Sequence, residues 1–424
     1  MTENEFKNQN PHARIFTAER FFDEIRRGGE IFNDLIFVGD IPLRPENCDN
    51  IVQFNNCFFV NGFVLMNSHC RNSVFVTKCY FSNSINFGSQ ARFTILTFSG
   101  CNTTNLNIED GNFGTISINE CAFEHYSITG GKFDLLSVDR SSIKIQGFFI
   151  HQNELGFGDI KLSKVDVDTI LIQGKITNRV IIGDVKCHHL SFYGTLVENK
   201  VRLIELTPLD KTSKVSIVDS ALNTTEFFNI NFSEFSIIEI NNSIITDCQF
   251  IGCIWGDNFP LPKDTNAIVR QKEVYRQLKL SMSTHKDNTQ EQFFYGKEME
   301  MQFKLTKLKW KTVGDIIILF FSKYTSNFGQ SLTRPIGALL LGHSILFVIA
   351  LSLGAFHPLQ ISFDDYNAKG FELAFEKFFI FISPFRKWEN SLSGYLIIID
   401  VSMRILSAFM IYNMIRATRR FIDK

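Results

Sequence analysis

The chain has 424 residues, 45% of them hydrophobic, and its 43 basic and 44 acidic side chains leave a formal net charge of −1. This composition is typical of a folded protein and excludes a disordered chain or a generally basic nucleic-acid binder. The charge is unevenly placed, because residues 257–424 hold 22 basic against 15 acidic side chains and residues 1–50 hold 6 against 10. We therefore expect no nucleic-acid partner.

Residues 1–50 are predicted to form an N-terminal cap with a short helix and a first strand. Thr17 is suited to start a helix at residues 18–27, and Gly28-Gly29 is suited to end it. A stack of β-coils needs such a cover, because its unpaired backbone groups would otherwise attract other strands.

A five-residue repeat begins at Phe98. The first series contains Phe98, Thr103, Ile108, Phe113, Ile118, Phe123, Ile128, Phe133, Val138 and Ile143. The second, two residues earlier, alternates large with small side chains: Leu96, Cys101, Leu106, Gly111, Ile116, Cys121, Tyr126, Gly131, Leu136 and Ser141. Neither a helix nor a flat strand buries both series. A chain that turns every five residues does, with four sides in a coil of about 20 residues.

Three triplets, Cys121-Ala122-Phe123, Cys79-Tyr80-Phe81 and Cys248-Gln249-Phe250, resemble the pentapeptide-repeat family. The resemblance implies a right-handed quadrilateral parallel β-helix over residues 51–256. With the membrane helices predicted below, the expected fold class is mainly β plus membrane α. The register is loose at residues 145–168 and 193–234, where we expect loops that leave the coil.

All nine cysteines lie between Cys48 and Cys253, many of them at the small inward position. We expect buried thiols in a reducing cytosol. We expect no metal, because His69-Cys70 and Cys187-His188-His189 each lack a second pair at zinc spacing. We expect no cofactor and no enzymatic activity, because neither paired carboxylates at matching repeat positions nor a phosphate-binding loop is present.

Residues 257–330 are predicted to be a helical linker with an interfacial segment, including helices at 265–285 and 289–311. This part resembles a bacterial group in which pentapeptide repeats precede a two-span membrane module. The residues that carry this resemblance are Tyr275, Leu278, Phe293, Phe294, Tyr295, Glu298, Gly329, Arg334 and Pro335.

Residues 331–424 are predicted to be that two-transmembrane module, with spans at about 336–356 and 395–415. Basic residues border the outer end of each span, so the positive-inside rule places both termini in the cytoplasm. We expect a multi-pass protein of the bacterial inner membrane, with the lipid bilayer as a partner. The alternative is two buried helices of a soluble domain.

Asp400 and Arg404 are the charged residues of the second span, and their spacing of four lets them pair on one helix face. One reading is a pair that makes insertion tolerable. The other is a pair that faces a pore or an oligomer axis, with His343 and Asn413 as further pore or gating candidates.

Between the spans, a short apolar helix is expected at residues 371–382. The candidates for a re-entrant loop are Phe371, Glu372, Phe375, Glu376, Ser383, Pro384 and Phe385. Two spans around a short helix resemble a cation-channel pore, which implies a homo-oligomer that is a tetramer by analogy. The segment 382–387 lacks the carbonyl-donating sequence of a potassium filter.

These features predict a channel-like membrane effector. Its cytosolic β-helix would sense or dock an unidentified protein or ligand, and its spans would permeabilise or gate the membrane, with bacterial stress or phage defence as a fitting setting. The alternative is a membrane-tethered β-helical scaffold without pore activity.

Overall fold

The computed structural model describes residues 2–28, 30–39, 51–61, 63–64, 69–87, 92–109, 112–129, 132–152, 159–177, 179–306, 312–353, 368–387 and 394–422. The chain divides into two compact units, Met1–Pro262 and Lys263–Lys424. The first is built mainly from strands and the second from helices.

The first unit contains the strands in chain order. The first twelve are β1 (Arg14–Thr17), β2 (Ile31–Asn33), β3 (Leu35–Val38), β4 (Val52–Asn55), β5 (Phe58–Phe59), β6 (Phe63–Val64), β7 (His69–Thr77), β8 (Tyr80–Phe81), β9 (Ile85–Phe87), β10 (Arg92–Ser99), β11 (Asn102–Glu109) and β12 (Asn112–Asn119). The others are β13 (Ala122–Thr129), β14 (Lys132–Asp139), β15 (Ser142–Gln152), β16 (Asp159–Ser163), β17 (Asp166–Ile176), β18 (Val180–Gly183), β19 (Lys186–Val197), β20 (Val201–Ile204), β21 (Thr207–Pro208), β22 (Lys214–Val218), β23 (Thr225–Phe228), β24 (Ile237–Asn241) and β25 (Gln249–Ile251).

The strands form two parallel sheets, and the chain passes from one sheet to the other and back. In one sheet β10 is followed by β12 and β14, and in the other β11 is followed by β13 and β15. Each strand therefore pairs with the strand one coil further on, as Phe93 does with Phe113. This is a parallel β-solenoid followed by helices, which confirms the predicted fold class.

Both predicted series point inward wherever their side chains are described. Phe98 and Ile108 of the first series are fully buried, as are Leu96 and Leu106 of the second. Thr103, the polar member of the first series, is also buried, and its Oγ1 donates a hydrogen bond to the carbonyl oxygen of Asn83 at 2.9 Å. This bond satisfies the hydroxyl, which explains how the coil accepts a polar residue there.

Aromatic rings stack between coils, as the abundance of phenylalanine suggests. Phe37 lies under Phe59 with ring centroids 4.9 Å apart and planes 11° apart. Phe59 in turn lies under Phe81 at 4.7 Å and 7°. Parallel pairing places these three rings in register, so they form one stack through three successive coils.

The small inward positions hold buried thiols at Cys57, Cys79, Cys101 and Cys121. The Cys101 Sγ donates to the carbonyl oxygen of Val76 at 3.3 Å. Elsewhere in the solenoid, burial raises the pKa of the Cys187 thiol to about 12. That thiol is therefore protonated near neutral pH and acts as a small apolar side chain.

One corner of every coil has a backbone residue in the left-handed region, with φ between 46° and 67°. These residues are Asp34, Asn56, Lys78, Gly100, Glu120, Arg140, Lys164, Asp184, Glu205, Asn229 and Gly252. Those from Asp34 to Asn229 donate their backbone N–H to a carbonyl oxygen of the next coil. The corner thus continues the hydrogen-bonded ladder while the chain turns inward.

Two parts of the predicted domain plan need correction. The stretch 193–234 is not a loop, because parts of β19 and all of β20 to β23 lie in it and pair within the two sheets. In the stretch 145–168, β15 and β16 continue the sheets, and residues 153–158 lie outside the described residues. The repeat pattern was weak there, but parallel pairing with neighbouring coils holds these segments in place.

The N-terminal cap contains more structure than predicted. Helix α1 (Glu3–Gln9) precedes β1, and α2 (Ala18–Arg26) follows it, with the Thr17 side chain accepting a hydrogen bond from the Arg20 N–H. The α2 residue Phe21 is buried and stacks on Phe54 at 5.8 Å. Strands β1 to β3 belong to the two sheets, so the solenoid begins before residue 51.

The second unit contains six helices in the described residues. They are α3 (Thr265–Thr284), α4 (Asn288–Leu305), α5 (Val313–Ser326), α6 (Thr333–Ser352), α7 (Ala368–Ile382) and α8 (Tyr395–Ile422). The predicted span at 336–356 corresponds to α6, and residues 354–356 lie outside the described residues. The predicted linker helix at 289–311 corresponds to α4, which ends earlier, at Leu305. Residues 307–311 lie outside the described residues.

Two helices are long and apolar enough to cross a membrane: α6 at Thr333–Ser352 and the segment Tyr395–Ile415 of α8. Only 28% and 22% of their residues, respectively, are buried. The core helix of a soluble domain is mostly buried, whereas most residues of these two segments are not.

Candidate functional site

Helix α7 packs against both long apolar helices and brings its C-terminal end to the middle of this group. Phe347 and Ala350 of α6, Phe381 of α7 and Met403 of α8 form one buried cluster. The chain that leaves α7 therefore passes directly beside α8, one turn from Met403.

A buried carboxylate lies at this point, paired with two arginines. Asp400 of α8 is only 2% exposed. Its Oδ2 accepts a hydrogen bond from Nε of Arg404 at 2.8 Å, which is the pairing predicted from their spacing. Its Oδ1 accepts a second bond from Nη2 of Arg386, which follows α7. We call Arg386, Asp400 and Arg404 the charged cluster.

The remaining arginine donors bind backbone carbonyl groups. Nη1 of Arg404 donates to the carbonyl oxygens of Arg386 at 2.7 Å and of Pro384 at 3.3 Å, and its Nη2 donates to that of Lys387 at 3.2 Å. Nη1 of Arg386 donates to the carbonyl oxygens of Phe381 and Ser383. The last carbonyls of a helix otherwise lack partners, so the Arg386 guanidinium caps α7. Arg404 binds carbonyl groups of the segment that follows the helix.

The formal charges of the three residues of the charged cluster sum to +1, from two arginines and one aspartate. Two further features favour the positive charge of Arg386. The C-terminal end of α7 has a partial negative charge, and the Arg386 guanidinium lies 3.8 Å from the centroid of the Phe381 ring. The cluster links the segment 381–387 to α8 through charge-assisted bonds.

Among the described residues, His343 and Asn413 make no hydrogen bond to the charged cluster. Asn413 is buried, and its Nδ2 donates to the carbonyl oxygen of Phe409 within the same helix at 2.8 Å. His343 is fully buried and meets the ring of Phe378 edge to face at 5.5 Å. Neither of its ring nitrogens has a hydrogen-bond partner among the described residues.

The candidates of the re-entrant loop divide between the surface and the cluster. Glu372, Phe375 and Glu376 are exposed on α7, and Phe375 contacts Phe379 of the same helix at 4.8 Å. Phe385 is 93% exposed. Ser383 and Pro384 contribute carbonyl groups to the cluster, whereas the side chain of Phe371 lies outside the described residues.

Most residues of the linker motif form the core of the hairpin between α3 and α4. Leu278 is fully buried, and the ring of Tyr275 stacks on that of Phe294 at 6.4 Å. Glu298 accepts a bond from Nζ of Lys279 at 2.6 Å, and the same ammonium group lies 5.8 Å from the ring of Tyr295. These residues hold the two helices together.

The rest of the motif joins the hairpin to α5 and α6. Nε2 of Gln330 donates to the carbonyl oxygens of Gln292 at 3.1 Å and Phe293 at 3.2 Å. Gly329 donates its N–H to the Ser326 carbonyl oxygen at 3.1 Å, at the end of α5. In the first turn of α6, Arg334 is exposed and Pro335 is buried, which suits proline because that turn needs no N–H bond.

The sequence analysis did not select Arg386. A signal was present, because a cation directly after a short apolar helix is favoured by the helix C-terminus. The partner Asp400 is 14 residues further along the chain, however, so no local spacing connected the two.

No known protein family, curated protein or solved structure matches this chain. Within the described residues, no group of three His, Cys, Asp or Glu side chains has the arrangement of a metal site. The charged cluster is therefore the candidate functional site that the chain's own geometry singles out.

Proposed function

We propose that the chain is a channel-like effector of the bacterial inner membrane. Helices α6 and α8 span the bilayer, α7 lies between them, and several copies, four by analogy with two-span channels, assemble around a pore. The solenoid lies in the cytosol and receives the signal, a protein or a ligand. We also infer that the solenoid belongs with pentapeptide-repeat proteins, because its inward positions follow that five-residue pattern.

The charged cluster is the observation that carries this proposal. A plain anchor needs only one apolar helix, and a single Asp or Arg at the bilayer centre costs roughly 2.5–3.5 kcal/mol on insertion scales. This chain has two arginines and an aspartate between its apolar helices. Charges at such depth usually serve transport or gating.

The short helix α7 supports the same reading. Its 15 residues extend about 22 Å, which is less than the roughly 30 Å of a hydrocarbon core. A segment that enters a membrane without crossing it has to bury its polar backbone against protein. The bonds from Arg386 and Arg404 to the carbonyls after α7 do this.

A membrane-tethered scaffold is the second candidate, and one observation favours it. The charged cluster is complete within a single chain, since Asp400 is paired twice and nearly fully buried. In that case the cluster only makes the hairpin stable, and the solenoid binds its partner without any change in permeability.

Reconstitution of the full-length protein in liposomes separates the two candidates. We expect the purified protein to form an oligomer in detergent and to release a trapped small dye. The double variant Asp400→Asn with Arg404→Gln keeps the cluster at +1, and it should insert and assemble but lose dye release. Glu198→Gln, at a half-exposed ion pair of the solenoid, is the control and should release dye normally.

Three other results would contradict the channel-like function or the role of the charged cluster in it. If the wild-type protein is monomeric, the scaffold remains as the function. The same holds if the wild-type protein neither releases dye from liposomes nor changes membrane permeability when it is overproduced in cells. A double variant with unchanged dye release would remove the charged cluster from the mechanism.

A further inference from the structure

Helix α5 has its apolar side outside and its polar side against the protein. The exposed side chains on one face are Ile317, Ile318, Phe320, Phe321 and Tyr324. Positions 317, 320, 321 and 324 have the spacing of a single helix face. A helix at a water-facing surface has the reverse arrangement, so water is an unsuitable neighbour for this face.

The inward side of α5 is buried at Ser326 and paired with α4 at Lys323. Ser326 is fully buried, with its Oγ donating to the Ser322 carbonyl oxygen at 2.9 Å. Nζ of Lys323 lies 3.6 Å from the Glu300 carboxylate of α4 and 5.3 Å from the ring of Phe303. The rotation of α5 about its axis is thus fixed, and its apolar face has to point away from α4.

We infer that this face of α5 lies in the plane of an anionic membrane, within the headgroup layer of the cytoplasmic leaflet. The inference rests on the proposed membrane function and adds to it a second, non-spanning contact with lipid. With 14 residues, α5 is about 21 Å long and too short to cross. A helix of this kind buries its apolar face at the boundary of headgroups and acyl chains.

The apolar surface of α5 continues onto the two long apolar helices. The helix packs against both α6 and α8, and the ring of Phe321 lies 6.4 Å from that of Phe409 of α8. Exposed apolar side chains continue outward on those helices, at Leu341 and Ile345 of α6 and at Ile405 of α8. A single lipid phase can therefore cover all three surfaces.

The charges around α5 identify the lipid as anionic. Residues 304–334 contain six basic side chains, Lys304, Lys307, Lys309, Lys311, Lys323 and Arg334, and a single acidic one, Asp315. Arg416, Arg419 and Arg420 follow the apolar segment of α8. Basic residues near a surface of acidic lipids strengthen binding to that surface.

Site-directed spin labels on the full-length protein test this placement. The protein carries one added cysteine at a time, Ile318→Cys, Leu341→Cys or Val269→Cys, and is reconstituted in vesicles of phosphatidylcholine and phosphatidylglycerol. All three positions are exposed and apolar, and Val269 lies on α3. For each label, the measurement is its accessibility to oxygen divided by its accessibility to a water-soluble nickel complex. The signal of the labelled parent protein, without an added cysteine, is subtracted.

We expect a high ratio at Leu341, a low ratio at Val269 and an intermediate ratio, several-fold above that of Val269, at Ile318. Vesicles of phosphatidylcholine alone should lower the ratio at Ile318 and leave that at Leu341 unchanged. Two results at Ile318 overturn the inference while Leu341 still reports a span. One is a ratio as low as that at Val269, and the other is a label that neither reagent reaches because another protein surface covers it. A low ratio at Leu341 as well overturns the membrane function itself.

Discussion

Gly114 shows how closely the coils approach each other at a single residue. A Cβ added there would overlap the backbone carbonyl oxygen of Thr94, one coil earlier. Gly183 is a matched case without this contact, because the nearest atom to its added Cβ is Ile204 Cβ at 3.8 Å. The two glycines therefore separate steric crowding from the general effect of replacing glycine in a strand.

We expect Gly114→Ala to lower the free energy of unfolding of the solenoid by about 1–3 kcal/mol, since the backbone has to shift. Gly183→Ala should be neutral or stabilise by up to about 1 kcal/mol, because alanine loses less conformational entropy on folding. Denaturant titration of the two full-length variants, followed by circular dichroism of the β-sheet, measures both. Equal midpoints would mean that the coils are further apart at Gly114.

Glu226 is a nearly buried carboxylate on the solenoid. It accepts bonds from Lys200 at 2.5 Å and Arg202 at 2.6 Å. Burial by itself would raise its pKa, but these bonds outweigh it and hold the pKa below the usual 4.5. A carboxylate with a lowered folded-state pKa stabilises the fold above its unfolded-state pKa, and this contribution is lost as the pH falls through the folded-state value.

Glu226→Gln should therefore unfold at a lower temperature than the wild type at pH 7, and the difference should shrink as the pH falls below about 4.5. Glu198→Gln is the control, because its ion pair with Lys175 is half-exposed and solvent screens it. Melting curves across this pH range provide the measurement. A constant difference between wild type and Glu226→Gln would exclude ionisation of Glu226 as the cause.

At the scale of elements, the charged cluster joins α7 to α8, and its charge determines how each variant behaves. Asp400→Asn removes the carboxylate that both arginines bind and raises the summed formal charge of the three residues from +1 to +2. Arg386→Gln leaves the neutral pair of Asp400 and Arg404, and removes one of the two bonds to Asp400, the bonds to the end of α7 and the contact with the Phe381 ring. Loss of one partner from a buried ion pair costs about 3–5 kcal/mol.

We therefore expect Asp400→Asn to reduce the membrane-inserted fraction strongly and Arg386→Gln to reduce it weakly. Alkaline extraction of membranes measures insertion, and thermal melting in detergent measures the stability of what is inserted. If Arg386→Gln reduces the inserted fraction as much as Asp400→Asn does, the bonds that Arg386 makes, and not the balance of charge, hold the cluster together.

Some elements could be predicted from the amino-acid sequence better than others. The inward series at Phe98 and Leu96 was predictable, because burial of every fifth residue leaves a pattern within a few positions. The left-handed corners were not predictable, because Lys78, Glu120 and Arg140 occupy them as readily as Asn56 does. Their conformation is imposed by the hydrogen bonds to the next coil. Arg386 was missed for a similar reason: its partner lies on another helix.

For the whole molecule, the placement of basic residues predicts a hairpin with both ends in the cytoplasm. A reporter inserted at Asn367 should lie on the opposite side of the membrane from one fused after Lys424. A phosphatase active only outside and a fluorescent protein active only inside make the measurement. Both reporters on one side would be incompatible with two spans and would leave at most one of α6 and α8 across the bilayer.

The left-handed corners also have a consequence for how such a chain can change in length. Gly100, Glu120 and Arg140 are twenty residues apart and occupy equivalent positions in successive coils. Excision of residues 101–120 would bring Gly100 directly before Cys121, the residue that takes the place of Cys101 one coil later. The solenoid can thus gain or lose entire coils during evolution, which would alter its length without changing its two ends.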